Sequence, residues 1–209
     1  MESRNQCTEE NNIESQKDWI NSQKRLWFDY ARKSIPDFQI DDSNRQVIAD
    51  LFNYFLKIPG NLDLRKGLWL EGEIGTGKSS LMQIFSKFMI ARFDGFLIHI
   101  CSHVANEYSI HGDLDKYTYN QTGYCGEPVS MCFDELGRES IPANHFGQKL
   151  NVMQHILHIR YSLWQTDGVK TFITTNLDAD GVEKLYDDFI RDRRHEMFNI
   201  IILTGKSKR

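Results

Sequence analysis

The segment Gly72-Glu-Ile-Gly75-Thr-Gly77-Lys78-Ser79 has the spacing G-x-x-x-x-G-K-[ST], which restricts the chain to folds in which a strand runs into a glycine loop and the loop opens a helix. The surrounding pattern agrees. Gly67–Glu71 reads as a short buried strand, and a helical pattern extends from Lys78 to about Arg92. Glycines admit backbone conformations closed to other residues and let amides approach phosphate oxygens, while the helix start adds its positive dipole end. The candidate nucleotide-contacting residues are therefore Gly72, Glu73, Ile74, Gly75, Thr76, Gly77, Lys78, Ser79 and Ser80. Lys78 is expected to face the β- and γ-phosphates of ATP, and the Ser79 hydroxyl to reach Mg²⁺.

A second element, Val129-Ser-Met-Cys-Phe133-Asp134-Glu135, is an apolar strand ending in two acids, the Walker B pattern. Asp134 is expected to hold Mg²⁺ and Glu135 to polarise an attacking water. A third, Thr171-Phe-Ile-Thr174-Thr175-Asn176, ends a further strand with a polar tip. Asn176 at that tip would orient the water or sense the γ-phosphate. The competing reading is an Asn that merely stops a strand in a turn.

Along the rest of the chain, residues 1–15 are polar and read as a tail. A helix over Gln16–Lys33 places Trp19, Ile20, Gln23, Leu26, Trp27, Tyr30 and Ala31 at spacings of three and four. Asp41, Asp42 and Ser43 offer caps for a second helix striped by Val47, Ile48, Leu51, Phe52 and Phe55. Strands are expected at 67–71, 96–101, 129–133, 171–175 and 200–203. Between them lie a long helix over about Gly147–Trp164 and one or two short ones in Asp180–His195. Such alternation predicts an α/β fold with a five-stranded parallel sheet and helices on both faces. The expected divisions are a tail over 1–15, an amphipathic helix and linker over 16–35, and a nucleotide-binding domain over 36–209.

The 209 residues carry a formal net charge of −4, so no global basic field exists and nucleic-acid contact would rest on local patches. The four cysteines form no C-x-x-C pair and read as free thiols of a reducing cytoplasm. The longest apolar runs are too short to span a bilayer, so a cytoplasmic protein without a membrane partner is expected.

Taken in order, these motifs resemble the AAA+ ATPases of the DnaC/IstB type, the bacterial and phage helicase loaders and transposition helpers. The resemblance rests on Gly67–Ser79, Phe133-Asp-Glu-Leu-Gly137, Arg160-Tyr161, Phe172-Ile-Thr-Thr-Asn176 and the ending Met197–Arg209, and it spans roughly Phe38 to the last residue. It implies an ATPase of DNA replication that meets a replicative helicase and single-stranded DNA and forms a homo-oligomer on ATP or DNA binding. The alternative is a helper that acts on duplex DNA with a transposase. A third reading, from another class, is a slow ATP-dependent scaffold. By resemblance, Arg193 is the arginine finger that enters a neighbour's ATP site. The family's first arginine of that helix is replaced by Phe189, unless Arg191 substitutes. Arg191 and Arg194 otherwise read as a solvated basic turn. Six residues follow the last expected strand, so no C-terminal lid domain is expected, and closure of the ATP site would come from a neighbouring subunit. Weak ATPase activity in the isolated monomer follows. Phe38 and Ile40 would touch the adenine, with core packing the equal alternative.

Weaker signals remain. His99, Cys101 and His103 alternate along the second strand and could share one face as metal ligands, although ordinary buried roles are commoner. Tyr117, Tyr119 and Tyr124, with Lys116, lie in a polar segment that could stack on unpaired bases or be a plain loop. The Gln16–Lys33 helix would dock on a partner or pack against its own domain. Arg160 interrupts the apolar stripe of Met153, Ile156, Leu157 and Trp164, and an acid inside the domain or at a subunit seam is its expected partner.

Overall fold

The structure, a computed structural model, describes residues 2–123 and 125–205, with side chains from Glu14 onward. The chain divides into two compact units, Met1–Gln39 and Ile40–Arg209. The first unit is a helix, α1 (Glu2–Ser34), which starts upstream of the Gln16 expected for it. Within this unit the rings of Trp27 and Phe28 meet Phe38 edge-on, at centroid distances of 5.7 and 6.5 Å.

The second unit begins with α2 (Arg45–Phe55), whose buried stripe is Ile48, Leu51, Phe52, Tyr54 and Phe55. The expected caps are displaced by one position. The Asp41 carboxylate accepts the Ser43 amide at 2.9 Å in the preceding turn, and Asn44 occupies the N-cap. Then follow β1 (Gly67–Gly72), α3 (Lys78–Ile90), β2 (Leu97–Ile100), α4 (Cys101–His111) and β3 (Met131–Leu136). The remainder comprises β4 (Ala143–His145), β5 (Gln148–Leu150), α5 (Val152–Asp167), β6 (Thr171–Thr175), α6 (Ala179–Tyr186), α7 (Asp188–Met197) and β7 (Phe198–Leu203).

β2, β3, β6, β1 and β7 form one parallel sheet in that spatial order. Crossover connections carry the chain between parallel neighbours, and the alternation of side chains along each strand feeds two cores. On one face Phe172 meets Tyr54, Phe55 and Phe96, and Phe55 stacks on Phe85 at 5.0 Å, so α2 and α3 cover this side. On the other, Trp69, Phe133 and Ile173 join Val104, Ile156, Tyr186 and Met197 in one buried cluster beneath α4, α5, α6 and α7. A fully buried side chain of this size stabilises by about 1.5–3 kcal/mol, so both faces contribute to the stability of the sheet that carries the loops at its carboxyl edge.

Further elements differ from expectation: β3 runs over Met131–Leu136 rather than 129–133, and β7 starts at Phe198 rather than Ile200. Cys101 begins α4 with no intervening loop after β2, so the expected strand over 96–101 ends at Ile100 and His103 lies on a helix. The long helix begins at Val152 rather than Gly147, because residues 143–150 form an antiparallel hairpin. Phe146 (φ 46°) and Gly147 (φ 89°) both adopt left-handed conformations at its tip, as a two-residue hairpin turn requires. The Asn144 side chain accepts the Gly147 amide at 3.0 Å. Asn151 then caps α5 by accepting the Gln154 amide at 3.3 Å.

Candidate nucleotide site

The sheet order brings the three sequence motifs to one edge. β6 lies between β3 and β1, so the tip carrying Asn176 stands between the acidic strand end and the glycine loop. This is the carboxyl edge of a parallel sheet, where the crossovers leave a crevice for ligands.

The loop between β1 and α3 is shaped by its glycines. Gly72 (φ 147°) pairs with Leu203, and a Cβ there would lie 2.1 Å from the Leu203 carbonyl oxygen, so only glycine lets β7 approach. Gly77 (φ 93°) is the left-handed N-cap of α3, and a Cβ on it would meet nothing within 4 Å, which leaves the surface above the helix start open. Lys78 is 6% exposed; its ammonium donates to the carbonyls of Gly72 (2.7 Å) and Glu73 (2.8 Å). The Thr76 hydroxyl donates to the Glu73 carbonyl at 2.9 Å and closes the turn. Glu73 and Ile74 are exposed, while Gly75, Ser79 and Ser80 are half-buried.

The Walker B end of β3 contains a bulge. Phe133 pairs with Ile173 and Leu136 with Thr175, so three steps on β3 match two on β6. Glu135 adopts φ +60°, a sparsely populated conformation for a non-glycine residue. Bulges re-aim side chains beside functional sites, and this one turns the backbone at the acidic pair. Asp134 is buried and accepts a hydrogen bond from the Thr174 hydroxyl. The same hydroxyl oxygen accepts the Glu135 amide at 3.0 Å. Thr175 extends the stitch by donating to the Leu136 carbonyl at 2.8 Å. Asn176 follows directly and is exposed. Thr174 is therefore the β6 side chain in contact with Asp134. It was visible in the sequence only as one threonine among several on a buried strand.

Beyond Leu136, the Glu139 carboxylate accepts the Gly137 amide at 2.9 Å and the Tyr186 hydroxyl. Burial and the Glu139 carboxylate push the Tyr186 phenol well above its ordinary range, so it stays a donor. The donor set of the site is made of oxygens: the Ser79 hydroxyl and the Asp134 carboxylate fit Mg²⁺ rather than a softer metal. Among the described residues no cluster of three or more His, Cys, Asp or Glu is placed to hold a metal, and His99, Cys101 and His103 do not form one.

Arg193 lies on α7, half-exposed. Its guanidinium stacks over Tyr161 (4.8 Å) and Phe189 (5.1 Å) and donates to the Tyr161 hydroxyl at 2.8 Å and to Glu196 at 3.0 Å. Tyr161 itself donates to Glu196 at 2.6 Å. Hydrogen bonds from Tyr161 and then Arg193 hold the Glu196 carboxyl below its usual range. Phe189 thus supports Arg193 as an aromatic wall. Arg191 is exposed and pairs with Glu183. Arg194 departs from the expectation of a solvated residue. It is 5% exposed and donates to Glu71 at 3.1 Å, because α7 turns it inward onto the sheet.

Among the described residues the hydrogen-bond partners of Arg160 are neutral oxygens rather than the expected acid. Fully buried, it donates to the Thr171 hydroxyl (2.6 Å) and to the carbonyls of Tyr117 (3.1 Å), Val129 (2.9 Å) and Lys170 (3.0 Å). Burial lowers its pKa to about 10. Its five-donor fork ties the 112–129 segment to the starts of β3 and β6. In that segment Tyr117 is buried and Tyr119 exposed, while Tyr124 lies outside the described residues. None of the helices, among the described residues, is long and apolar enough to cross a membrane.

No family model matches the chain, and no curated protein matches it. Solved structures do. The structure of DnaI superposes with a TM-score of 0.60 at 22% identity, covering 87% of this chain and 93% of that one. The DnaC helicase loader gives 0.56 at 16%, covering 82% and 96%. The replication initiator DnaA bound to AMPPCP and single-stranded DNA gives 0.55 at 15%, covering 82% and 49%. With its sheet order, its glycine loop and these matches, the chain has the fold of the DnaC-like AAA+ P-loop ATPases.

Proposed function

We propose that the protein is an ATP-binding, ATP-hydrolysing AAA+ protein of DNA replication that acts on a replicative helicase in the manner of a loader. The observation that carries this reading is the convergence of the Lys78 loop, the Asp134–Glu135 bulge and the β6 tip at one edge of the sheet. The matches to DnaI and to the DnaC helicase loader, which extend over nearly the whole of those chains, support the replication role. The AMPPCP and single-stranded DNA bound by DnaA support nucleotide and single-stranded DNA as ligands.

In this reading Lys78 exchanges the Gly72 and Glu73 carbonyls for phosphate oxygens, and amides of residues 72–80 cradle the rest of the triphosphate. Ser79 and Asp134 would hold Mg²⁺, which would supply positive charge to the phosphates when bound. Thr174 fixes the Asp134 carboxylate, and Glu135, at the bulge, polarises the attacking water. Asn176 orients that water. Arg193 leaves Tyr161 and Glu196 to complete the ATP site of a neighbouring subunit, so the assembled oligomer hydrolyses faster than the monomer. ATP state then governs assembly and grip on single-stranded DNA.

Size-exclusion co-elution with the host's replicative helicase, with and without a non-hydrolysable ATP analogue, tests the loader role. Nucleotide-dependent co-elution is expected. Its absence under both conditions, together with tighter binding to duplex than to single-stranded DNA at matched salt, would replace the loader reading with that of a transposition helper.

A further inference from the structure

Arg194 and Glu71 are 123 residues apart in sequence and form an ion pair inside the domain, with side-chain exposures of 6% and 13%. Glu71 is the residue of β1 immediately before Gly72, whose carbonyl holds the Lys78 ammonium. Its strand is an interior one, with Thr175 of β6 on one side and Ile202 of β7 on the other. Arg194 follows Arg193 on α7, and its guanidinium lies over the Trp69 ring at 5.6 Å. Its Nε, also buried, has no hydrogen-bond partner among the described residues.

Such a pair is a poor stabiliser. Two charges leave water, and similar apolar residues often serve stability as well or better. An orphan buried donor adds to the cost. What the pair does supply is registry. Consecutive helical residues point about 100° apart, so locking Arg194 inward fixes the rotation of α7 and with it the outward direction of Arg193. The Lys66 ammonium, donating to the His195 carbonyl at 2.7 Å, secures the same turn of helix.

We propose that Arg194 is a positioning residue. Through Glu71 it ties the helix bearing Arg193 to the strand that enters the phosphate loop, so that the finger presented to a neighbour is registered against the donor subunit's own nucleotide loop. The proposal rests on the reading of Arg193 as a finger acting in trans, and it gives Arg194 and its ion pair with Glu71 a role that the resemblance does not assign.

Mixed assemblies of the full chain test it. Subunits with Lys78→Ala keep the finger and lose the ATP site, whereas subunits with Arg193→Ala keep the ATP site and lose the finger. Mixing the two should restore hydrolysis; no restoration refutes the trans-finger reading itself. The double change Glu71→Met/Arg194→Met is then placed in one subunit type at a time, with Glu71→Gln as a second variant that preserves shape. In the finger-donating subunit it should lower the restored rate about 10-fold or more, equivalent to a tenth of the transition-state population. In the ATP-binding subunit it should leave the rate within about twofold, with nucleotide affinity unchanged. An equal loss in both placements, a loss confined to the ATP-binding subunit, or no loss in either overturns the proposal.

Discussion

Thr174 donates its hydroxyl to the buried carboxylate of Asp134 from the neighbouring strand, and its oxygen receives the amide of Glu135 in return. A single hydroxyl therefore orients the candidate metal ligand and holds the backbone of the candidate base. Hydrogen bonds to charged groups contribute about 1.5–3 kcal/mol, so Thr174→Val should lower kcat about 10- to 100-fold with nucleotide affinity little changed. Thr174→Ser should restore most of the rate. Steady-state ATPase kinetics on the assembled protein decide this, and an unaltered kcat in the valine variant would remove Thr174 from the site.

Arg193 is held in its own subunit by Tyr161 and Glu196. Arg193→Ala should lower the hydrolysis rate of the assembled protein about 10³-fold, the low end for arginine fingers, while leaving the dilute monomer's slow rate as it was. Measurement of specific activity against protein concentration separates the two. A loss of the same size in the monomer would assign Arg193 a role within its own subunit.

Arg160 satisfies four oxygen acceptors, all of them neutral. Arg160→Met should destabilise the fold by about 3 kcal/mol, since buried acceptors lose their donor and a space remains around the shorter chain. Urea denaturation gives the value. A change under about 1 kcal/mol would mean that the 112–129 segment is anchored elsewhere.

Tyr117 reports on the same segment through pH. Burial first, and then its hydrogen bond to Glu107, push its phenol up to about 12 from an ordinary 10. The folded-state pKa is raised, so the stabilisation is fully present below pH 10 and is lost as pH climbs toward 12. Tyr117→Phe should therefore show a smaller loss of stability between pH 10 and pH 12 than the parent. Parallel curves for the two proteins would contradict this.

Much of the site was legible because its signals are local. Gly72–Ser79 carries its own geometry, and the apolar run ending at Asp134 declares a strand with acids at its tip. The five parallel strands followed from apolar segments separated by helical stretches, and the sheet has that form. What stayed hidden depends on partners distant in sequence. Thr174 looks like any strand threonine until β6 is seated beside β3, and Arg194 looks solvated until α7 turns it onto Glu71, 123 residues away. The hairpin at residues 143–150 escaped because Phe146 occupies a left-handed turn position that sequence assigns to Gly, Asn or Asp. α4 was missed because it begins at Cys101 without the polar break that marks a helix start.

The most direct test of the account is the affinity of the protein for a fluorescent ATP analogue in the presence of Mg²⁺, compared with that of Lys78→Ala. Removal of the ammonium that now caps the loop carbonyls should weaken binding at least about 100-fold, as expected for the loss of a buried charge facing phosphate, with the fold intact by circular dichroism. Equal affinity in the two proteins would contradict the assignment of this loop as the nucleotide site, and with it the account built upon it.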